Sequence, residues 1–206
     1  MWLSVLMTVL VGYMLGNLNG AVCMSAILKD DVRTHGSGNA GLTNFIRNYG
    51  VGKSLYVILI DAGKAVLACI TGGLLLQAHG DFYTEGAAIG GLAVMLGHDF
   101  PALLGFKGGK GILSGLFIAI CVDWRVALMI LGVFALAYLV TQYVSLGSVL
   151  AALTFSVGFG WLHFGNLVVM SCGIVMGLLA VFMHRGNIVR LVKGEERKTN
   201  LFKGKK

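Results

Sequence analysis

Seven predominantly apolar runs, roughly 1–28, 54–78, 86–104, 111–122, 126–141, 148–162 and 166–183, restrict the fold of this 206-residue chain more than any other feature. Inside a bilayer no water is available to the backbone, so a crossing segment must satisfy its own N–H and C=O groups, which favours helices. A straight crossing takes about 20 apolar residues, with a lower limit near ~17. The first, second, third and seventh runs meet that length, whereas the fourth and sixth, at 12 and 15 residues, are short. These two are thin spans, spans extended into polar flanks, or not spans at all. The expectation is an all-α integral membrane protein, a single polytopic domain over residues 1–206 with about seven transmembrane helices. Leaving out both short runs gives five and the same parity.

Composition agrees. Charged residues make up 12% of the chain, against about 25% in soluble domains, and the mean hydropathy is +0.84. The 31 glycines include the fourfold spacings Gly12-Gly16-Gly20, Gly86-Gly90, Gly111-Gly115 and Gly173-Gly177. Such ridges let helices approach closely where lipid supplies no hydrophobic drive between them. Cys23, Cys69, Cys121 and Cys172 each sit in an apolar run without C-x-x-C spacing. They read as reduced core residues, with no disulfide framework and no metal site. Met1 is followed directly by apolar residues, with no basic n-region, so the first run is expected to be retained as a helix.

Fourteen of the sixteen basic residues fall on one side under either odd-parity topology: Lys29, Arg33, Arg47 and Lys53, then Lys107 and Lys110, then Arg185, Arg190, Lys193, Arg197, Lys198, Lys203, Lys205 and Lys206. Arg125 faces the other way and Lys64 lies within a run. The positive-inside rule then puts the N-terminus outside and the C-terminus in the cytoplasm. The net charge of +7 follows from sidedness, and no recognition motif points to nucleic acid. The tail "RKTNLFKGKK" reads as an anchor on anionic headgroups.

Four polar islands share that side: "HGSGNAGLTNFIRNYGVGK" (35–53), "GHDFPALLGFKGGKG" (97–111), "TQYVSLGS" (141–148) and "HRGNIVRLVKGEE" (184–196). A transporter of a phosphorylated metabolite, the competing class, would place polar groups near the midplane, where Asp61 and Lys64 are the charged candidates. Clustering at helix ends suits an enzyme of the lipid–water boundary. In the first island Gly36, Gly38 and Gly41 allow sharp turns that aim N–H groups at an anion. Ser37, Thr43, Asn39 and Asn44 add polar contacts, and Arg47 a fork for phosphate oxygens. The plainer alternative is a turn whose asparagines cap the next helix. In the second island Lys107 and Lys110 flank Gly108 and Gly109, and a helix begins at Gly111, which together make a phosphate cradle or an interfacial turn with snorkelling lysines. His184 and Asn187 share a face if the last helix continues, the histidine as base, phosphate ligand or dipole partner. Asp61 and Lys64, also i, i+3, are expected to pair, and His98, Asp99 and Pro101 to end the third helix. His79 and His163 fall on the outer side.

Taken in order, these islands resemble the bacterial acyl-phosphate:glycerol-3-phosphate acyltransferases, the PlsY family of membrane enzymes. "HGSGNAGLTN" with Arg47 is similar to the family's first motif, "GHDFPALLGFKGGKG" to its second, and "HRGNIVRL" with Gly194 and Glu196 to its third, while "YVSLGS" resembles the serine-bearing turn between them. Leu42 stands where alanine is usual and Gln142 where arginine is frequent. The resemblance covers nearly the whole chain. It implies transfer of a fatty acyl group from acyl phosphate to glycerol 3-phosphate, giving lysophosphatidic acid and phosphate, the first step of phospholipid synthesis, at the cytoplasmic face of the bacterial plasma membrane. It also implies that Ser37, Arg47, Lys107 or Lys110, Ser145, His184 and Asn187 are site residues. No cofactor, metal or covalent acyl-enzyme is expected, because acyl phosphate is already activated. No histidine has an aspartate five residues on, so an H-x-x-x-x-D base is not expected.

Overall fold

The structure, a computed structural model, describes residues 1–199. Lys203, Lys205 and Lys206 of the expected anchor lie outside the described residues. All regular structure among the described residues is helical: ten α-helices and two 3-10 turns.

The first apolar run is two helices, α1 (Trp2–Gly16) and α2 (Gly20–Ile27). Asn19 caps α2 by accepting the Val22 N–H at 3.0 Å, the competition asparagine offers to a continuing helix. Asn17 donates to Tyr13 O at 2.8 Å and accepts the Leu103 N–H at 3.0 Å. The gap frees carbonyls, and buried Lys64 donates to Leu18 O at 2.6 Å and Gly16 O at 3.4 Å. Lys64 belongs to α4 (Val51–Gln77) and pairs with Asp61 at 2.8 Å. The expected pairing is present, and the helix break stabilises it. Between α2 and α4 lies the short α3 (Leu42–Tyr49), whose Phe45 is buried against Ala21, Val32 and Val57.

Helix α5 (Tyr83–Asp99) packs on α4 and α1 through glycine. Gly72 and Gly86 meet backbone to backbone, and Gly97 lies on Tyr13 and Gly16. A Cβ at any of these would overlap a neighbouring carbonyl, so Gly16 and Gly86 of the fourfold sets do mark close helix approach, whereas Gly115 meets nothing nearer than Phe155 at 3.8 Å. Gly173 and Gly177 of α9 (Leu167–Met183) sit likewise on Phe159 and Ser156 of α8 (Val144–Leu162).

Seven spans were expected. By length and composition the described helices supply five: α1–α2 together, α4, α5, α7 (Trp124–Thr141) and α8. A sixth arises if α9 and α10 (Arg185–Val192), bent by 55°, count as one. Helix α6 (Ile112–Val122) has 11 residues, about 16 Å, short of the ~30 Å of a hydrocarbon core. The sixth run, read as 15 residues, is a 19-residue helix. Ser145, Gly147 and Ser148, which looked like a polar boundary, are helical and buried.

The two ends of the bundle differ. At one end polar groups pair off: Ser4 with His79 at 2.7 Å, Asn166 with Glu85 at 2.8 Å, and Asp123 with His163 at 2.9 Å and Arg125 at 2.7 Å. The four islands gather at the other end.

Candidate active site

The first island is a loop folded on itself. Asn44 of α3 donates to Val32 O, His35 O and Asn39 O, each at 3.0 Å, and accepts the Ser37 N–H at 3.1 Å. Its side chain therefore staples the loop, a role neither of the sequence readings gave it. Gly36 and Gly38 have φ of +60° and +70°, a region costly to residues with a Cβ, and Gly36 packs on Asn44. The Gly38 N–H donates to His35 O at 2.9 Å, so it is not free for an anion. His35 binds Asp30 at 2.9 Å, which also accepts from Tyr49. What the staple leaves facing inward is Ser37, Asn39, Thr43 and Arg47.

The second island lies flat on the end of α5. The Gly109 N–H donates to His98 O at 3.0 Å, and a Cβ at Gly108 or Gly109 would overlap His98. The pair is glycine because the loop must pass over α5, and neither residue reaches the cavity wall. His98 does not merely end its helix: its Nδ1 accepts from Lys64 at 2.7 Å. Asp99 is wholly buried behind Gly111, with no hydrogen-bond partner for its carboxylate among the described residues. Lys107 is exposed and off the cavity, whereas Lys110 lines it and donates to Asn187 Oδ1. Gly111, at φ +68°, starts α6, whose first-turn N–H groups have no intrahelical acceptor.

The last helix does not run on unbroken. It breaks at His184, which ends α9 and begins α10. His184 and Asn187 nonetheless both reach the cavity, joined by Arg190 one turn later. His184 Nδ1 lies 2.8 Å from Ala180 O. A carbonyl only accepts, so Nδ1 carries the proton and the neutral ring keeps Nε2 as an acceptor. The tail then returns, burying Glu196 against Asn187 at 3.0 Å and Arg190 at 2.8 Å.

These parts enclose a cavity of about 610 Å³, within the ordinary range for small-molecule sites. Its polar head holds Ser37, Arg47, Lys110, Ser145, His184, Asn187 and Arg190. It continues without a wall into an apolar groove of Leu116, Ile130, Phe134, Phe155 and Met176, contributed by α6 to α9. A smaller cavity of about 330 Å³ opens beside the head, over Gly38, Arg185 and Gly186. Burial, then the nearby Arg190, pulls the Lys110 ammonium down to about 8. Burial also lowers Arg47. Burial pushes Glu196 up, but hydrogen bonds from Arg190 and Asn187 outweigh it and hold the carboxyl below its ordinary value. The head is thus cationic, with Glu196 as its near anion. Ser145 Oγ faces that carboxylate and contributes to the shift, without meeting full hydrogen-bond geometry.

Among the described residues no cluster of histidine, cysteine and acidic side chains is arranged to hold a metal. Sequence reasoning missed Arg190, although the spacing 184, 187, 190 is a helix face. It also did not anticipate the contacts of Glu196 with Asn187 and Arg190, or of Thr199 with Arg47, which leave no periodic signal.

The chain matches the family model described as "Glycerol-3-phosphate acyltransferase" over residues 6–194. A glycerol-3-phosphate acyltransferase of Prochlorococcus marinus (strain MIT 9215) is 34% identical over 201 residues, 95% of this chain and 98% of that one. A crystal structure of PlsY, an integral membrane glycerol 3-phosphate acyltransferase in its glycerol 3-phosphate form, superimposes with a TM-score of 0.84 at 32% identity, covering 97% of this chain and 100% of that one. Its lysophosphatidic acid form gives a TM-score of 0.80 at 32% identity, covering 96% of each.

Proposed function

In a chain that belongs to the glycerol-3-phosphate acyltransferase family, we propose that the cavity transfers a fatty acyl group from acyl phosphate to the primary hydroxyl of glycerol 3-phosphate, releasing lysophosphatidic acid and phosphate. The observation that carries this reading is the unbroken passage from a head with Arg47, Lys110 and Arg190 into an apolar groove. An acyl phosphate has that amphiphilic shape. The smaller cavity shares Ser37, Asn39, Lys110, Asn187 and Arg190 with the head, which leaves room for a second phosphorylated molecule.

The hydroxyl attacks the acyl carbonyl, the C–O bond to phosphate breaks, and the hydroxyl proton passes to a base. Arg47 and Lys110 hold two anions that would otherwise repel, and such proximity supplies about 7–11 kcal/mol. Oxyanion donors supply about 3–4 kcal/mol each, a role we assign to the first-turn N–H groups of α6, which lack intrahelical acceptors. His184 Nε2 or a phosphate oxygen accepts the proton. Transfer is direct on this reading: among the described residues Ser37 is hydrogen-bonded only through its backbone N–H, to Asn44, and no histidine is paired with its hydroxyl. No cofactor is required by this chemistry. Asp61 and Lys64, the transporter candidates, pair with each other, and Asp61 lines this same cavity, so turnover in detergent separates the two readings.

The proposed setting is the bacterial plasma membrane, with seven crossings that include α6, N-terminus outside and cavity in the cytoplasm. Purified protein incubated with acyl phosphate and glycerol 3-phosphate should yield lysophosphatidic acid in detergent, with no acyl group on Ser37 by mass spectrometry. Absence of product, or a kinetically competent acyl-Ser37, would overturn the reaction or the direct route respectively.

A further inference from the structure

The chain after α10 does not trail away. Gly194, at φ +72°, reverses it, and the Glu195 N–H donates to Arg190 O at 2.8 Å. Glu196 is then buried, its carboxylate joined to Asn187 Nδ2 and Arg190 Nε. Three residues on, Thr199 is buried and held on three sides. Its N–H donates to Gln142 O at 3.1 Å, its carbonyl accepts from Tyr138 Oη at 2.9 Å, and its hydroxyl accepts from Arg47 Nε at 3.0 Å and from Arg47 Nη2.

We propose that Glu196 and Thr199 are positioning residues, a strap that aims the two phosphate-holding cations, Lys110 and Arg47. The inference rests on the reading of the cavity as a phosphate site. Each residue acts through a different side chain. A carboxylate only accepts, so Glu196 forces the NH2 of Asn187 toward itself and leaves Asn187 Oδ1 facing Lys110. Without that carboxylate the amide is free to turn and present N–H groups to the ammonium. Thr199 does not line the cavity, whereas Arg47 does. Its hydroxyl takes the Nε–Nη2 edge of the guanidinium from behind and leaves the Nη1–Nη2 edge as the fork for two phosphate oxygens. Because Thr199 is tied to Tyr138 and Gln142 at the end of α7, the strap also fixes Arg47 of α3 to the opposite side of the bundle. These contacts thereby set the separation of two cations, one on α3 and one in the loop before α6.

The test uses Thr199→Val, Thr199→Ser and Glu196→Gln in the full chain, with thermal unfolding as a folding control. Two readouts are taken: KM and kcat for each phosphorylated substrate, and the concentration of inorganic phosphate that protects Arg47 from phenylglyoxal, followed by mass spectrometry. Loss of one hydrogen bond to a charged group predicts an approximately tenfold rise in that protecting concentration and in KM for Thr199→Val, with a smaller change in kcat. Thr199→Ser restores the hydroxyl and should return both toward wild type. Glu196→Gln should raise KM by a similar factor while Arg47 protection stays near wild type. The strap is wrong if Thr199→Val and Glu196→Gln both fold and leave KM and protection unchanged. It is equally wrong if Thr199→Val binds phosphate more tightly, since the hydroxyl would then be a competitor. Should Thr199→Val fail to fold, Glu196→Gln decides alone. Phosphate protection is measurable without turnover, so a protein that makes no lysophosphatidic acid would defeat the proposed reaction and leave the strap judged on its own readout.

Discussion

The two ends of the helical bundle draw on similar polar residues and use them in opposite ways. At the end of Asp123 each group is consumed by a neighbour: Asp123 accepts from Arg125 and His163, Asn166 donates to Glu85, and Ser4 meets His79. At the other end Arg47, Lys110 and Arg190 converge on a cavity with Glu196 as their near anion, and Arg47 keeps an edge of donors unused. A closed end needs no ligand to be electrostatically satisfied. The open end is a cationic hollow until an anion enters, and that difference locates function better than polarity does.

The comparison has an all-or-none form in topology. A cysteine placed at exposed Lys107 should react with an impermeant reagent only in inverted vesicles, and one at Phe164 only in intact cells, both above the background of the unsubstituted protein. Labelling of both from one side would dissolve the distinction between the ends. Next in size is Arg47→Lys, which keeps the charge but loses the fork. A lost charge-assisted hydrogen bond is worth about 1.5–3 kcal/mol, so kcat/KM should fall about 10- to 100-fold, read beside a folding control. A variant as active as wild type would mean the open end does not need its guanidinium.

Lys110 offers a gentler probe. With its ammonium near 8, kcat/KM should decline as pH rises through about 8, and Lys110→Arg should move that decline to higher pH. The stability sign is opposite. A lysine depressed in the fold makes the unfolded chain the stronger proton binder above about 8, so stability should rise from there toward 10.5, the ordinary lysine value. At the closed end Asp123→Asn keeps an acceptor for the α7 cap but loses the charge. It should cost about 1 kcal/mol of stability, seen as a lower Tm, and leave kcat/KM unchanged. The Asp123 carboxyl is held near 2, mainly by its hydrogen bond from Arg125. Its contribution should therefore be present above its ordinary value of 3.8 and be lost as pH falls through about 2.

Much of the arrangement was legible in the sequence. Hydropathy located the helices, fourfold glycine located the close contacts of α1, α4 and α5, and clustered glycine with basic residues located three walls of the cavity. The failures share a cause. Polar residues that serve a helix from inside, such as Ser145 and Ser148, look like boundaries to a scale that knows only polarity. Asn17 and Asn19 interrupt a helix through their own side-chain bonds, and the carbonyls so freed are taken up by Lys64, far along the chain. Gly108 and Gly109 were read as ligand-facing when a neighbouring helix end dictates them. Glu196 meets Asn187 and Arg190 only after the chain reverses, and Thr199 meets Arg47, Tyr138 and Gln142 from far along the sequence, so no local pattern encodes these contacts.

Helix α6 has a consequence of its own. It begins at the cavity and ends at Asp123, level with the start of α7, after 11 residues. In a hydrocarbon layer ~30 Å deep a rod of about 16 Å that is flush at one surface stops roughly 14 Å beneath the other. Its free N–H groups therefore wait well below the waterline. Under the proposed reaction, an acyl group would meet them with its tail still immersed, avoiding the ~0.8 kcal/mol that each methylene would cost on emerging into water.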